Sequence, residues 1–146
     1  MKKLAALLIA LTLAGPALAG ESCALNGLAP LPVMETIKGQ FLRGDYRGFF
    51  YDTPNLFQKN EKLYEKTLGG LTTAAPKGFD SCSTIMRRTE QGGMVQELVL
   101  FGGLNKSGNK DEVMGVLLVT GPVNGETALL YFAFNSQFEK ILEEIR

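Results

Sequence analysis

The most apolar part of the chain, residues 94–135, alternates between hydrophobic segments and polar connections. MVQELVLF is followed by the polar, glycine-rich segment GGLNKSGNKD, then by EVMGVLLV, the turn TGPVNGE and TALLYFAFN. Short apolar runs bounded by turn residues are typical of β-strands. We therefore predict three successive strands, the last two of which form a hairpin.

The first strand of this hairpin is apolar at both alternate sets of positions. One set is Met114, Val116 and Leu118, and the other is Val113, Leu117 and Val119. Because side chains alternate between the two faces of a sheet, such strands are usually covered on both. We expect helices on one face of the sheet and a further cover, or a partner, on the other.

The segments before this stretch predict one more strand and two helices. SCSTIMRRTE, from Ser81, leads through Gln91-Gly92-Gly93 into MVQELVLF, which indicates a hairpin with a glycine-bearing connection. Apolar residues spaced three or four apart predict amphipathic helices over residues 33–51 and 56–71. The first contains Gly39, Gly44 and Gly48, each costing roughly 1 kcal/mol relative to Ala, which indicates a bend or close packing on the sheet.

The C-terminal segment has the clearest local helix signal. Ser136 followed by Glu139 fits a capping box, and an apolar stripe follows, formed by Phe138, Ile141, Leu142 and Ile145. Segregated helices and antiparallel strands define an α+β domain. We predict two N-terminal helices packed on a curved antiparallel sheet of about four strands, plus a C-terminal helix.

The N-terminus changes this picture because its first nineteen residues have the features of a secretory signal peptide. Lys2 and Lys3 precede an apolar core, and Ala17-Leu18-Ala19 forms a small-x-small cleavage site. The apolar core is shorter than the roughly 20 residues that span a bilayer. We predict cleavage after Ala19 and a single domain over residues 20–146 in the periplasm or outside the cell.

The two cysteines, Cys23 and Cys82, are expected to form a disulfide in that oxidising compartment. The bond would close a loop of about 60 residues. The resulting loss of entropy in the unfolded chain would stabilise the fold by roughly 4 kcal/mol at best. The alternative, a reactive thiol, needs a partner such as histidine, and the chain contains no histidine.

Charge and composition narrow the classes of function. Without Lys2 and Lys3, thirteen basic residues face fifteen acidic ones, and Arg87-Arg88 is the only adjacent basic pair. Nucleic-acid binding needs concentrated basic residues and is therefore not expected. The absence of histidine removes the commonest general base and the commonest metal ligand, so we predict no cofactor and no metal site.

One segment resembles a known fold family. FLRGDYRGFFYDT, through Gly44, Asp45, Tyr46 and Asp52, is similar to a pattern common in domains with the nuclear transport factor two-like fold, cone-shaped α+β domains also called cystatin-like. The resemblance implies a pocket between helices and a concave sheet, and often a dimer through the convex face. The final helix and the four strands depart from the family, and its cone hosts isomerases, dehydratases and plain binding modules.

Candidate site residues are aromatic or acidic. A cofactor-free isomerase or lyase would have to combine a carboxylate with a tyrosine. The carboxylate candidates are Asp45, Asp52 and Glu97, and the tyrosine candidates are Tyr46, Tyr51 and Tyr131. The simpler interpretation makes both aspartates solvated and pairs Glu97 with Arg87 or Arg88 across the hairpin. Core packing explains most of the aromatic residues between 41 and 51, and the rest are candidates for a pocket wall. The resulting candidate ligand-binding residues are Tyr46, Phe50, Tyr51, Glu97 and Tyr131.

The polar loop over residues 102–111 is the last candidate. Its alternating oxygen-bearing residues resemble a calcium loop, but Lys106 and Lys110 interrupt them, so a solvated loop is the preferred interpretation. As a secreted inhibitor, the chain could insert this loop into a target enzyme. Our leading expectation is a non-enzymatic domain that binds a small apolar ligand or a protein, or forms a homodimer through the apolar sheet face, without stable membrane insertion.

Overall fold

A computed structural model describes residues 23–103 and 112–145 as one four-stranded antiparallel sheet with helices before and after it. The strands follow each other across the sheet in chain order. They are β1 (Ser81–Thr89), β2 (Val95–Gly102), β3 (Val113–Val123) and β4 (Glu126–Asn135). The helices are α1 (Pro32–Arg43), α2 (Tyr46–Asp52), α3 (Glu61–Ala74) and α4 (Phe138–Glu143). The predicted α+β class and strand number are confirmed.

Two irregularities interrupt the regular pairing of the strands. The register shifts between Thr84 and Met86 in β1, and between Val119 and Thr120 of β3 where that strand faces β4. A bulge adds a residue on one strand and increases the local twist. The β3–β4 hairpin turns at Asn124 and Gly125, which both have positive φ, as tight hairpin turns require.

The first predicted helix is two helices, because the chain breaks at Gly44. This residue has φ 70°, a left-handed conformation that ends α1, and its N–H donates to the Phe41 carbonyl. A Cβ here would lie 2.6 Å from the backbone nitrogen of Gly78, so only glycine fits. Asp45 then starts α2, its side chain accepting a bond from the N–H of Gly48. The predicted bend is a complete helix break.

The second predicted helix starts five residues later than expected. Asn60 caps α3 by accepting a hydrogen bond from the Leu63 N–H at 2.8 Å. Residues 54–57 run instead along β4, where the Leu56 N–H donates to the Leu129 carbonyl. Leu56 therefore has a strand-like partner, and 60% of it is exposed.

The C-terminal helix exists, but the predicted capping box is wrong. The helix begins after Gln137, which makes no side-chain cap, and the Asn135 side chain accepts from the Gln137 N–H. Ile141 of the predicted stripe is buried, whereas Leu142 is 47% exposed. The short α4 thus contacts the sheet through only part of its predicted apolar side.

The sheet has two unlike faces. The inner face packs against α1, α2 and α3 around a large aromatic and aliphatic core that includes Phe41, Phe49 and Phe101. The outer face carries Leu98 and Leu117 beneath α4. The prediction that both faces are apolar is confirmed, and α4 is the additional cover. None of the helices in the described part of the chain is long and apolar enough to cross a membrane.

The predicted disulfide joins Cys23 to Cys82 in β1, with Cα atoms 5.4 Å apart. The carbonyl of Cys23 also accepts hydrogen bonds from the N–H and hydroxyl of Thr84. The segment from residue 23 is therefore held against the outer edge of β1.

Candidate functional site

The most unusual group of side chains is a row of alternating charges buried under α1. Glu97 lies on the inner face of β2, Arg87 is its register partner on β1, and Lys38 reaches down from α1. The side chains of Lys38 and Glu97 are both completely buried. Glu35, one turn before Lys38, completes the row at the rim of α1. We call these four residues the buried charge row.

Short contacts link each member of the buried charge row to the next. Lys38 Nζ lies 2.6 Å from Glu97 Oε2 and 2.6 Å from Glu35 Oε1. Arg87 Nε donates to Glu97 Oε1 at 2.7 Å, and its Nη1 donates to the Ala29 carbonyl at 2.7 Å. Two cations and two carboxylates compensate each other, which is the condition for burying charge without a large penalty.

This geometry decides the role of Glu97. The predicted pairing of Glu97 with an arginine across the hairpin is confirmed for Arg87, which holds one carboxylate oxygen. Lys38 holds the other. A general base must reach the proton that it removes, and both oxygens here face protein cations in a closed interior.

Lys38 was missed by sequence reasoning, although a signal for it existed. Met34, Ile37 and Phe41 are buried core residues of α1. Lys38 completes their spacing of three and four residues, so it occupies a core position of the helix. A lone lysine in an apolar stripe requires a buried acidic partner, and Glu97, in the middle of an apolar strand, was the available one.

Tyr46 and Phe50, both predicted for a ligand site, belong to the core. Tyr46 is 2% exposed, and its hydroxyl donates to the Ala75 carbonyl at 2.7 Å. Burial raises the pKa of Tyr46 to about 12. The Phe50 ring packs against Phe57 and Tyr64. These contacts hold α2 against α3 and the loop between them.

Tyr51 lies at the surface of the same helix layer in a polar cluster. Its hydroxyl donates to Glu61 Oε2 at 2.9 Å, and the Arg47 guanidinium lies 5.0 Å from its ring centre. Desolvation and the bond to Glu61 raise the Tyr51 pKa, while the hydrogen bond from Arg47 lowers that of Glu61. The cluster joins α2 to the first turn of α3 at the surface.

Tyr131 is separated from the other predicted site residues by the sheet itself. It is the register partner of Val119 and points to the outer face, whereas Glu97 shares the inner face with Phe132. Its hydroxyl donates to Glu144 at 2.7 Å, a bond that raises the tyrosine pKa. The five predicted residues therefore form no common site.

The two aspartates that were enzyme candidates have different positions. Asp45 caps α2, and Asp52 lies at the rim of a groove between the start of α1 and Pro54. The groove has a volume of about 230 Å³ and is lined by Pro32, Val33, Thr36, Gln40, Asp52, Thr53 and Pro54. Typical ligand pockets hold roughly 300–1,000 Å³. The aspartates are not brought together with Glu97 or with Tyr131.

Two earlier candidates lie partly or wholly outside the described residues. The predicted signal peptide precedes residue 23, and most of the calcium-like or inhibitory loop falls within residues 104–111. Within the ranges 23–103 and 112–145, no three histidine, cysteine or acidic side chains gather closely enough to hold a metal ion.

The part of the outer face beside α4 is the remaining candidate surface. A Cβ on Gly121 would lie 2.8 Å from Leu130 Cδ1 and 3.2 Å from Met94 Cγ, so both side chains cover this glycine. Met94 is 36% exposed, and Val119 and Leu130 are half-buried. We call Met94, Val119 and Leu130 the outer-face patch; it carries no charge.

Comparison with known proteins identified no relative of this chain. No protein-family model matches the chain, and no match was found among curated proteins or solved structures. The geometry and chemistry of the described residues therefore carry the functional argument.

Proposed function

We propose that this protein is a secreted, non-enzymatic binding domain whose outer-face patch contacts a protein partner. The observation that carries the proposal is the contrast between the two sides of the sheet. On the inner side, Glu97 is paired with Lys38 and Arg87 inside a packed core. On the outer side, apolar side chains extend past the short α4, with Met94 and Tyr131 partly exposed.

The chemistry of the outer-face patch suits a protein partner. Methionine and aromatic residues are enriched in the cores of protein interfaces, and charged residues are depleted there. Met94 can also adapt its shape to a contacting surface because its side chain is unbranched. Tyr131 lies next to the patch because it is the register partner of Val119. Its hydroxyl donates a hydrogen bond to Glu144.

Secretion is part of the proposal and has two supports. The N-terminal segment has the features of a cleaved signal peptide. The Cys23–Cys82 disulfide suits an oxidising compartment, since such bonds are rare in the cytosol. Mass measurement of the chain purified from the extracellular or periplasmic fraction tests both, because cleavage after Ala19 and the disulfide each change the mass.

Membership of the nuclear transport factor two-like fold is a further proposal. It is supported by helices that precede an antiparallel sheet and by Gly44 and Asp45 at the break between α1 and α2. In this chain the space between helices and sheet is occupied by the aromatic core. A binding role therefore fits the fold better than catalysis in a pocket.

The binding proposal is tested by site-specific crosslinking in the native compartment. A photoreactive residue at Met94 is expected to give one defined protein adduct, because this position lies in the outer-face patch. The matched control is the same residue at Lys62, which is exposed on α3 away from the sheet. Absence of an adduct at Met94, or identical adducts at both positions, would contradict the proposal.

Native mass spectrometry of the purified protein separates this proposal from a small apolar ligand. A small ligand would add a discrete mass to the single chain, and the groove beside Pro54 would be its candidate site. The proposed protein partner instead predicts that the chain, purified under native conditions, carries no added small mass.

A further inference from the structure

The two outer edges of the sheet differ in the features that protect them from pairing with a further strand. At the edge of β4, the Leu129 N–H donates to the Pro54 carbonyl, and the Leu129 carbonyl accepts from the Leu56 N–H. Beyond this single bridge, no described segment bonds to the backbone of residues 130–135 on the side away from β3. We call residues 130–135 the open edge.

Within residues 130–135, the open edge lacks the residue types that normally prevent strand pairing. It reads LYFAFN and contains no charge, no proline and no glycine. Edge strands are commonly protected by charged residues, proline or a covering segment. Tyr131 is 45% exposed, and the next four residues are all half-buried, as expected of a strand with one free side. Such an edge is a template for another strand.

The edge formed by β1 is protected. The segment that starts at Cys23 bonds to Thr84 through backbone and hydroxyl, and the disulfide anchors that segment to Cys82. Arg87 bonds to the Ala29 carbonyl, which holds the following residues nearby. The register shift after Thr84 further disrupts this edge for regular pairing. The sheet therefore has one edge suited to accept a strand.

We propose that the open edge pairs with the open edge of a second copy of this chain, antiparallel and about a two-fold axis. A strand that added to the opposite edge would continue from copy to copy and form a filament. With β1 protected, only edge-to-edge pairing of two β4 strands is left, and this pairing closes at two copies. The dimer would contain one continuous sheet.

The side chains of the open edge are compatible with this pairing. Phe132 and Phe134 lie on the inner face, and Tyr131 and Ala133 lie on the outer face. A two-fold axis between the strands places aromatic and small apolar residues opposite one another, without like charges. Leu130 belongs to both the open edge and the outer-face patch, but the pairing leaves Met94 free, so a probe at Met94 reports on the patch alone.

The test uses two measurements on the mature chain, its mass in solution and its amide hydrogen exchange. Light scattering after size exclusion is expected to give a dimer mass for the native chain. Hydrogen exchange of residues 130–135 should slow as the protein concentration rises, because pairing protects backbone N–H groups. Tyr131→Lys should lose both the dimer mass and this protection, because a lysine would have to be desolvated beside the partner strand.

Two matched variants make the result specific to the open edge. Met94→Lys places the same charge in the outer-face patch just before β2, with β3 between it and the open edge, and is expected to remain dimeric. Tyr131→Phe removes only the hydroxyl bond to Glu144 and should also remain dimeric.

Several results would overturn the proposal. A monomeric native chain at all concentrations would exclude the dimer, and so would unchanged exchange of residues 130–135 in a dimer. Dissociation by Met94→Lys would place the contact on the face instead of the edge. Open-ended assemblies would contradict closure, and a foreign strand protecting residues 130–135 would replace the second copy as the occupant. Each result is separate from the crosslinking test at Met94.

Discussion

The inner and outer faces of one sheet are stabilised in different ways. The inner face lies beneath three helices and combines a large aromatic core with the fully buried pair Lys38 and Glu97. The outer face has a smaller core centred on Leu98, Leu117 and Ile141 and is covered by a six-residue helix. The same strands contribute to both, since alternate residues of β2 and β3 point to opposite faces.

This difference shows which contacts fix the position of a helix on the sheet. Hydrophobic contacts are non-directional, so they allow a helix to slide on a sheet. The buried charge row fixes α1 at one position, because Lys38 must meet Glu97 and Glu35 together. α4 has no comparable buried pair among its described contacts and leaves apolar surface beside it. The inner face is covered by three helices, and the outer face keeps apolar surface beside α4.

The largest effect is expected from breaking the buried charge row. Lys38→Met leaves one oxygen of Glu97 buried without its cation, which should reduce the free energy of unfolding by roughly 3–5 kcal/mol. Urea unfolding followed by circular dichroism measures this loss. Combining Lys38→Met with Glu97→Gln should recover part of it, because no carboxylate then remains buried and the amide oxygen can still accept from Arg87.

An exposed ion pair provides the control for that experiment. Arg47 and Glu61 form a contact of 2.9 Å, but their side chains are 61% and 58% exposed. Water and salt screen such a pair, so Arg47→Met should leave the urea midpoint nearly unchanged. A wild-type midpoint for Lys38→Met would contradict the pairing of Lys38 with Glu97.

The next largest effect concerns the disulfide at the protected edge of the sheet. Replacing both Cys23 and Cys82 by serine should lower the free energy of unfolding by roughly 2–4 kcal/mol, because the unfolded chain regains the entropy of a long loop. Amide exchange in β1 should also increase, since Cys23 anchors the segment bonded to Thr84. Unchanged exchange there would show that other contacts hold this segment.

A smaller and local effect is expected on the outer face. A Cβ on Gly115 would lie 3.2 Å from Ile141 Cγ1, so α4 needs glycine at this position. Gly115→Val should cost roughly 1–3 kcal/mol by overpacking and should speed hydrogen exchange of α4. Exchange of α1 should not change if the two faces are independent. Equal loosening of α1 and α4 would show that the faces are coupled.

The smallest effect is expected from Tyr46→Phe, and it depends on pH. Removing the hydroxyl bond to the Ala75 carbonyl should cost about 1 kcal/mol near neutral pH; Gly78 still donates to that carbonyl. Because burial raises the Tyr46 pKa to about 12, the folded state keeps its proton longer than the unfolded state does.

The sign of this pH dependence follows from proton linkage. The stabilisation by protonated Tyr46 is fully present below the unfolded pKa of about 10. It is lost as the pH rises toward the folded value of about 12. Stability of the native chain should therefore fall more steeply over this range than that of Tyr46→Phe. Equal slopes in urea titrations would contradict the raised pKa.

The amino-acid sequence by itself determined the class of the fold, its strands and its disulfide. Glycine-bearing connections and alternating apolar residues located all four strands, because these signals are local. Two cysteines left one intramolecular pairing, and the structure has it. Glu97 within an apolar strand, one hairpin away from Arg87, similarly required a partner across the strands.

Tertiary structure decided what the sequence left ambiguous. Gly44 could bend or break a helix, and its contact with Gly78, a residue distant along the chain, is what requires the break. Lys38 meets Glu97 only after α1 crosses the sheet, and strand parity places Tyr131 on the other side from Glu97. Local periodicity encodes which residues share a face, whereas packing between distant segments decides which faces meet and which edge stays open.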